Sequence, residues 1–329
     1  MTYPSKHLPS VFAIDPLHPD VQHMVKGRFR LITCDQPEIS RWKDDADALI
    51  VRGSSIASED LAQCKRLRWV QKHGVGVDQL DIGALKNANV GLMNTPGANA
   101  IGVAEVALAL AMAVGREIAI INARIKAGQY LTQKSGLTGL TLTGTTLLII
   151  GGGNIGLTVG KMFHGAFGCS LLVFDPYISA AAKAAWESTI PSANLQWIQD
   201  LDTQGYPVAD VISLHIPLLP STKDMIGKAQ FAKMKPTAII VNTARGGIIN
   251  EDDLIDALDQ GLIHGAGLDA MAVEPPTVDS NPRLVKHERC IVTPHIGGSA
   301  LSVQRDVARS CIEHLAEVFS GKAPRDQIC

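Results

Sequence analysis

The stretch "LLIIGGGNIG", Leu147 to Gly156, decides the fold. Its four apolar residues read as the end of a buried strand. Gly151, Gly153 and Gly156 follow at G-x-G-x-x-G spacing, and residues 154–167 read as a helix. Alone, the glycine string is weak, because glycines are common. Between a strand and a helix each glycine has a physical task. The first permits the tight turn, the second lets backbone approach a pyrophosphate, and the third lets helix and strand pack closely. The helix start then offers free N–H groups and a positive dipole end to phosphate. The next apolar run, "LLVFD", ends at Asp175, about 20 residues downstream as dinucleotide binding requires. A carboxylate there accepts ribose hydroxyls and repels a 2′-phosphate. Pro176 and Tyr177 follow, with no arginine to attract that phosphate, so NAD is expected over NADP. The bland alternative is a glycine turn with a surface aspartate.

Outward from this motif, strands are expected at 145–150, 171–175, 210–214, 238–242, 265–268 and 290–292. Helices fit between most of them, notably 154–167 and 251–260, which makes a doubly wound parallel α/β sheet. The first hundred residues show the same alternation on a smaller scale, with apolar runs "SVFAID", "FRLITC", "ALIVR", "RWVQKHG" and "VGLMN". Between the two sets lies Ala100–Gly128, read as one or two packed helices with Gly115 as the break. Glu105 is placed within its apolar face, in a capping or helix-positioning role. The tail "ALSVQRDVARSCIEHLAEVFSGK" is an amphipathic helix without a sheet of its own, and returning to the first domain is its simplest packing.

Composition agrees with two domains. The chain has 329 residues, 46% of them hydrophobic, enough for two cores. Thirty basic and 32 acidic residues leave a net charge of −2, unlike the basic footprint of a nucleic-acid binder. The start, "MTYPSKHLPS", lacks the regions of a signal peptide, and no apolar run reaches the roughly 18 residues of a membrane span, so no membrane partner is expected. Cys34, Cys64, Cys169, Cys290, Cys311 and Cys329 lie far apart and form no CxxC. Neither disulfides nor a metal site is expected. Most of these thiols are read as buried, Cys329 as a loose terminal one, and a reducing cytoplasm fits them.

Three further stretches share a pattern: "VNTARGG" (241–247), "GLDAMAVEPP" (267–276) and "VTPHIGG" (292–298). Each puts a polar residue just beyond the C-terminal end of an expected strand, the edge at which open α/β sheets bind ligands. Arg245, Asp269, Glu274 and His295 are thereby expected to meet around one ligand. Taken singly, each has a dull reading: a loop arginine, a turn at Glu274-Pro275, a surface histidine. Gly246 and Gly247 read as letting the Arg245 loop approach its ligands, or as a plain turn.

With these residues in view, the chain resembles the D-isomer-specific 2-hydroxyacid dehydrogenases, the family of phosphoglycerate dehydrogenases and hydroxypyruvate reductases. The likeness runs from "KHGVGVDQLD" (72–81) through "NTPGANAIGVAEVALAL", the glycine motif and "LHIPLLPSTKDMIGKAQFAKMKPTAIIVNTARGGIINEDDLIDAL" to "TPHIGGSA" (293–300). It implies a Rossmann NAD-binding domain, 101–295, and a flavodoxin-like substrate domain, 1–100 with 296–329, with an interdomain cleft. It implies that Arg245 binds the substrate carboxylate and that His295, paired with Glu274, is the acid/base. Asn154, Ile155, Pro217, Thr222, Thr243, Ala244 and Gly297 join Gly151, Gly153, Gly156 and Asp175 around the cofactor, and Asp269 contacts its carboxamide. Backbone N–H groups of Val75 and Gly76 grip the substrate, with Arg52 and Asn99 in the same pocket. A homodimer is implied through 100–128 and the arm "YLTQKSGLTGLTL".

The chemistry is coherent. Oxidising an alcohol removes the O–H proton as hydride leaves carbon, and an imidazole of ordinary pKa near 6.5 can take that proton or return it. A carboxylate beside it raises that pKa and fixes the ring. Arginine brings a planar fork of donors suited to a carboxylate. Lys72, His73 and Arg52 add either positive charge for a second anionic group or ordinary surface charge. Gln79, where phosphoglycerate-type members often have asparagine, weakens that particular assignment. So 3-phosphoglycerate, glycerate or hydroxypyruvate, and glyoxylate all stay open. With the chain ending soon after the tail helix, no C-terminal regulatory domain is expected. Formate dehydrogenases share the fold but lack an acid/base glutamate. An NAD(H)-sensing corepressor on the same fold is the alternative to an enzyme.

Overall fold

The computed structural model describes residues 8–132 and 134–329. Most of the "MTYPSKHLPS" start and Gln133 of the arm fall outside them. The chain divides by contacts into two units, 1–99 with 298–329, and 100–297.

The first unit begins with β1 (Ser10–Ala13), β2 (Arg30–Thr33), α1 (Trp42–Asp45), β3 (Ala48–Val51), α2 (Ser58–Gln63), β4 (Trp69–Lys72), α3 (Ile82–Asn87) and β5 (Gly91–Met93). All five expected apolar runs are strands. They form one sheet, order β2-β1-β3-β4-β5, every pair parallel. This is the flavodoxin-like order. Being covered on both faces, β3 is buried at every position, which is why "ALIV" has no polar alternation.

The second unit opens with α4 (Ala100–Gly115) and α5 (Ile118–Lys126), the break falling after Gly115 as expected. Then come β6 (Thr146–Ile150), α6 (Asn154–Phe167), β7 (Ser170–Phe174), α7 (Ala180–Thr189), β8 (Leu195–Trp197), β9 (Val211–Leu214), α8 (Lys228–Phe231), β10 (Ile239–Asn242), α9 (Glu251–Asp259), β11 (Gly265–Leu268), α10 (Pro282–Val285) and β12 (Cys290–Val292). The sheet order is β12-β11-β10-β9-β6-β7-β8, again parallel throughout. Strand order reverses between β6 and β9, so the glycine turn after β6 sits at the switch point where such sheets bind nucleotides. The sheet has one strand more than expected. β8 is a three-residue edge strand that pairs only with β7 and has no fully buried residue, so no apolar run marks it.

The chain ends in α11 (Leu301–Phe319), which packs on the first unit. Val303, Val307, Cys311, Ile312, Leu315 and Val318 recur at helical spacing and share a core with Val11, Ile50 and Met93. The tail then runs antiparallel beside β5. Ile328 N donates to Leu92 O at 2.7 Å, and Leu92 N donates to Cys329 O at 3.0 Å. This covers an edge that would otherwise present unpaired backbone groups.

Two expectations change. Glu105 is exposed, turned away from the buried face formed by Val103, Ala104, Ala107, Leu110, Ala111 and Val114. Of the six free cysteines only Cys169, Cys290 and Cys311 are buried; Cys34, Cys64 and Cys329 are half-buried. No helix among the described residues is long and apolar enough to cross a membrane.

Candidate active site

In the second unit the residues beyond β10, β11 and β12 come together. His295 Nδ1 donates to the Glu274 carboxylate, at 3.0 Å from Oε2 and 3.2 Å from Oε1. Burial would raise the Glu274 carboxyl, but the hydrogen bond from His295, the charges of His295 and Arg245, and the Met271 N–H outweigh it and hold it below its ordinary value. The same hydrogen bond raises His295 above its ordinary value, against partial burial. An ionised Glu274 keeps the ring proton on Nδ1 and leaves Nε2 as the atom that exchanges a proton.

His295 sits at φ +55°, a left-handed conformation costly for a residue with a side chain. Asp269 holds it there. Its buried carboxylate accepts from Thr293 Oγ1 at 2.6 Å, from Ile296 N at 2.8 Å and from Gly297 N at 2.8 Å, bracketing His295 on both sides. The described contacts of Asp269 are thus structural, a task that spacing alone did not reveal.

Arg245 lies in the turn after β10, with Nη1 donating to Ala244 O at 2.7 Å. Its charge is felt by both His295 and Glu274. Asn242, buried at the end of β10, donates through Nδ2 to Arg245 O at 2.8 Å and accepts from Ala244 N at 3.0 Å. Gly246 has a reason neither expectation included. A Cβ there would lie 2.0 Å from Met271 C and O and 2.4 Å from Ala272 N, so the Arg245 turn packs directly on the loop that leads to Glu274. Gly247, at φ +79°, makes the turn.

The cofactor residues are arranged around the glycine turn. A Cβ at Gly151 would meet His215 O at 2.4 Å, and one at Gly156 would meet Gly151 O at 2.1 Å, whereas Gly153 faces open space. Gly153 caps α6 without a side-chain bond, and Asn154, Ile155 and Gly156 form the helix's first turn. Asp175, directly after β7, accepts from Gly152 N at 2.9 Å and Tyr177 N at 2.9 Å, which brings its carboxylate to the turn. Thr243 Oγ1 is buried without a hydrogen-bond partner, and Ala244 beside it is buried. Thr222 Oγ1 donates to Pro217 O at 2.7 Å and accepts from Leu219 N at 2.8 Å, closing the loop beyond β9. An open glycine turn, a carboxylate at the next strand end and an orphaned hydroxyl fit a dinucleotide. Among the described residues no cluster of His, Cys, Asp or Glu could hold a metal ion.

The other expected residues belong to the first unit. Val75 and Gly76 follow β4, where Asn94 Nδ2 donates to Val75 O at 2.8 Å and Gly74 N to Thr95 Oγ1 at 3.0 Å. Asn99 ends the segment, its Oδ1 buried without a partner. Arg52 is half-buried beyond β3, with Nη2 3.5 Å from Ser299 Oγ. Asp15, which the sequence did not single out, shapes that loop by accepting from Arg52 N at 2.6 Å, Gly53 N at 3.0 Å and Ser54 N at 3.1 Å. Lys72 and His73 are not surface charges: both are buried, and Lys72 Nζ donates to Arg52 O. Burial, with Arg52 and Lys72 nearby, pushes His73 down to about 4, so it is neutral near pH 7.

A profile for the NAD-binding domain of D-isomer specific 2-hydroxyacid dehydrogenases matches residues 108–297. The hydroxypyruvate reductase of Thermotoga maritima is 36% identical over 92% of this chain and 95% of its own length. The D-3-phosphoglycerate dehydrogenase of Methanocaldococcus jannaschii is 34% identical over 95% of this chain, which spans only 58% of that longer protein. A crystal structure of a Thermus thermophilus protein superposes with a TM-score of 0.83 at 27% identity, covering 97% of this chain and 100% of that one. The chain therefore belongs to the D-isomer specific 2-hydroxyacid dehydrogenase family and is an NAD-dependent oxidoreductase of that family.

The neutral, buried His73 has a consequence for stability. Between about pH 6.5 and 4 the unfolded chain binds a proton at this residue that the folded chain does not, so its contribution is lost as pH falls. Urea unfolding at pH 7 and pH 4.5 is expected to show His73→Phe losing less stability than wild type over that interval, by on the order of 2–3 kcal/mol. Equal losses would show that His73 titrates normally in the fold.

Proposed function

We propose that the chain interconverts a small D-2-hydroxy acid and its 2-keto acid, with His295 as acid/base, Glu274 as its partner and Arg245 as the carboxylate-binding residue. The observation that carries this reading is the His295–Glu274 hydrogen bond beside the positive charge of Arg245. When bound, the nicotinamide supplies or takes the hydride. His295, held by Glu274, gives its Nε2 proton to the substrate oxygen in reduction and takes it back in oxidation. The guanidinium of Arg245 pairs with the carboxylate and polarises the C2 oxygen. Gly151, Gly153, Asn154, Ile155 and Gly156 would hold the pyrophosphate, and Thr243, Ala244, Pro217, Thr222, Asp269 and Gly297 would bind the rest of the cofactor. In the first unit, Val75, Gly76, Arg52 and Asn99 are the residues proposed to bind substrate.

Hydroxypyruvate is the favoured keto acid, because a relative matched over 92% of this chain and 95% of its own length is named a hydroxypyruvate reductase. The neutrality of His73 leaves less positive charge in the first unit for a phosphate. NADH turnover is expected with at least one of hydroxypyruvate, glyoxylate, pyruvate and 3-phosphohydroxypyruvate. Arg245→Lys should keep the fold and cut kcat/KM by on the order of 10²-fold or more, since the charge stays but the fork is lost. Near-normal kinetics in that variant would remove Arg245 from its role.

Asp175 supports a preference for NADH over NADPH, through repulsion of a 2′-phosphate. Asp175→Ser is expected to narrow that preference by at least tenfold, read as the ratio of kcat/KM values. An unchanged ratio would assign the selectivity elsewhere. A cytoplasmic location suits six free thiols, three of them half-buried.

A homodimer is also part of this reading. α5 has no buried residue although it carries Ile118, Ile120, Ile121 and Ile125, and Ile118 and Ile125 are each more than half exposed. Beside it runs a groove of about 780 Å³ lined in part by Ile120, Leu137, Ile255 and Leu258. A second copy of the chain would cover this surface. Light scattering is expected to give twice the mass of one chain, and Ile118→Asp with Ile125→Asp the mass of one. A wild-type mass of a single chain would remove the dimer.

A further inference from the structure

We infer that Glu251 is a positioning residue for the acid–base pair, pinning both ends of the loop that carries Glu274 to the first turn of α9. The inference rests on the reading of His295 and Glu274 given above. Glu251 is the first residue of α9, and its two carboxylate oxygens bind different parts of that loop. Oε1 accepts from Ala272 N at 2.6 Å, and Oε2 accepts from Asn281 Nδ2 at 2.8 Å. Glu274 lies between these anchors.

The near anchor reaches the acid–base pair through the backbone of one residue, Met271. Met271 N, adjacent to Ala272, donates to Glu274 Oε1 at 3.2 Å. That same oxygen lies 3.2 Å from His295 Nδ1. The Met271–Ala272 peptide also packs against Gly246, next to Arg245. Holding this peptide fixes the Met271 backbone on its N-terminal side, whose N–H sets Glu274 against His295, and seats the Arg245 turn. At the far anchor, Asn281 caps α10 by accepting from Leu284 N at 3.2 Å through Oδ1, which turns its Nδ2 to Glu251.

The alternative is a purely structural role for Glu251. An acidic residue in a helix's first turn favours the helix dipole, and Asp252 and Asp253 share that place. The dipole needs charge near the helix start. It does not need two directed bonds to a loop. Bonds to an ionised carboxylate are the stronger kind. Without them the loop is free to shift, and a displacement of about 1 Å at reacting groups can cost on the order of 10²-fold in rate.

The test compares Glu251→Ala, Glu251→Gln and Glu274→Gln with wild type in NADH-dependent reduction of hydroxypyruvate and glyoxylate, alongside melting temperatures. Glu251→Ala is expected to lower kcat by on the order of tenfold or more while leaving KM for NADH unchanged. It should also move the basic limb of the pH–rate profile to lower pH, the direction expected for Glu274→Gln. Glu251→Gln keeps an acceptor for Ala272 N and should recover most of kcat. Wild-type kcat and an unmoved limb in Glu251→Ala would overturn the inference. So would equal losses in both Glu251 variants that follow melting temperature with no movement of the limb. If Glu274→Gln moves the limb and Glu251→Ala does not, only the positioning role fails. If Glu274→Gln itself leaves the limb in place, the acid–base reading fails, and the inference with it.

Discussion

The hydrogen bond between His295 Nδ1 and the Glu274 carboxylate is the contact on which the site depends. Neither partner is held by its own strand. His295 follows β12 in a left-handed conformation, and Glu274 stands six residues beyond β11 in a loop. Their meeting depends on Asp269, whose carboxylate brackets the His295 turn, and on the backbone of Met271 and Ala272, which touches Glu274 through Met271 N, Glu251 through Ala272 N, and Gly246 through the peptide between them. The backbone strain at His295 is offset by three hydrogen bonds to one buried carboxylate.

The parallel sheet makes this arrangement available. Every strand of the second unit points the same way, so the segments after β6, β7, β10, β11 and β12 all emerge at one edge. The glycine turn and Asp175 share that edge with Arg245, Glu274 and His295. Close approach explains the glycines better than flexibility does. Gly156 yields to the Gly151 carbonyl, and Gly246 yields to a peptide of the neighbouring loop.

Much of this was legible in the sequence because burial on both faces turns a parallel strand into an unbroken apolar run. "ALIV" and "AIIV" could be read that way, and the strand ends then located Arg245, Asp269 and His295. What stayed hidden depended on tertiary neighbours. β8 is a short edge strand with no apolar signature. Lys72 and His73 could be read as charge for a second anionic group or as ordinary surface charge, yet the end of β4 is buried. Gly246 announced a turn without showing the peptide it packs against. Glu251 was not singled out, because nothing in local spacing shows that residues 272 and 281 fold back onto it. The left-handed turn at His295 likewise follows from Asp269, 26 positions earlier in the chain.

The pairing of His295 with Glu274 is tested most directly by NMR titration of the His295 imidazole, identified by the resonance missing from His295→Gln. A midpoint above about 6.5 in wild type, falling toward that value in Glu274→Gln, is the predicted result. A midpoint at or below about 6.5 that the substitution leaves in place would contradict it.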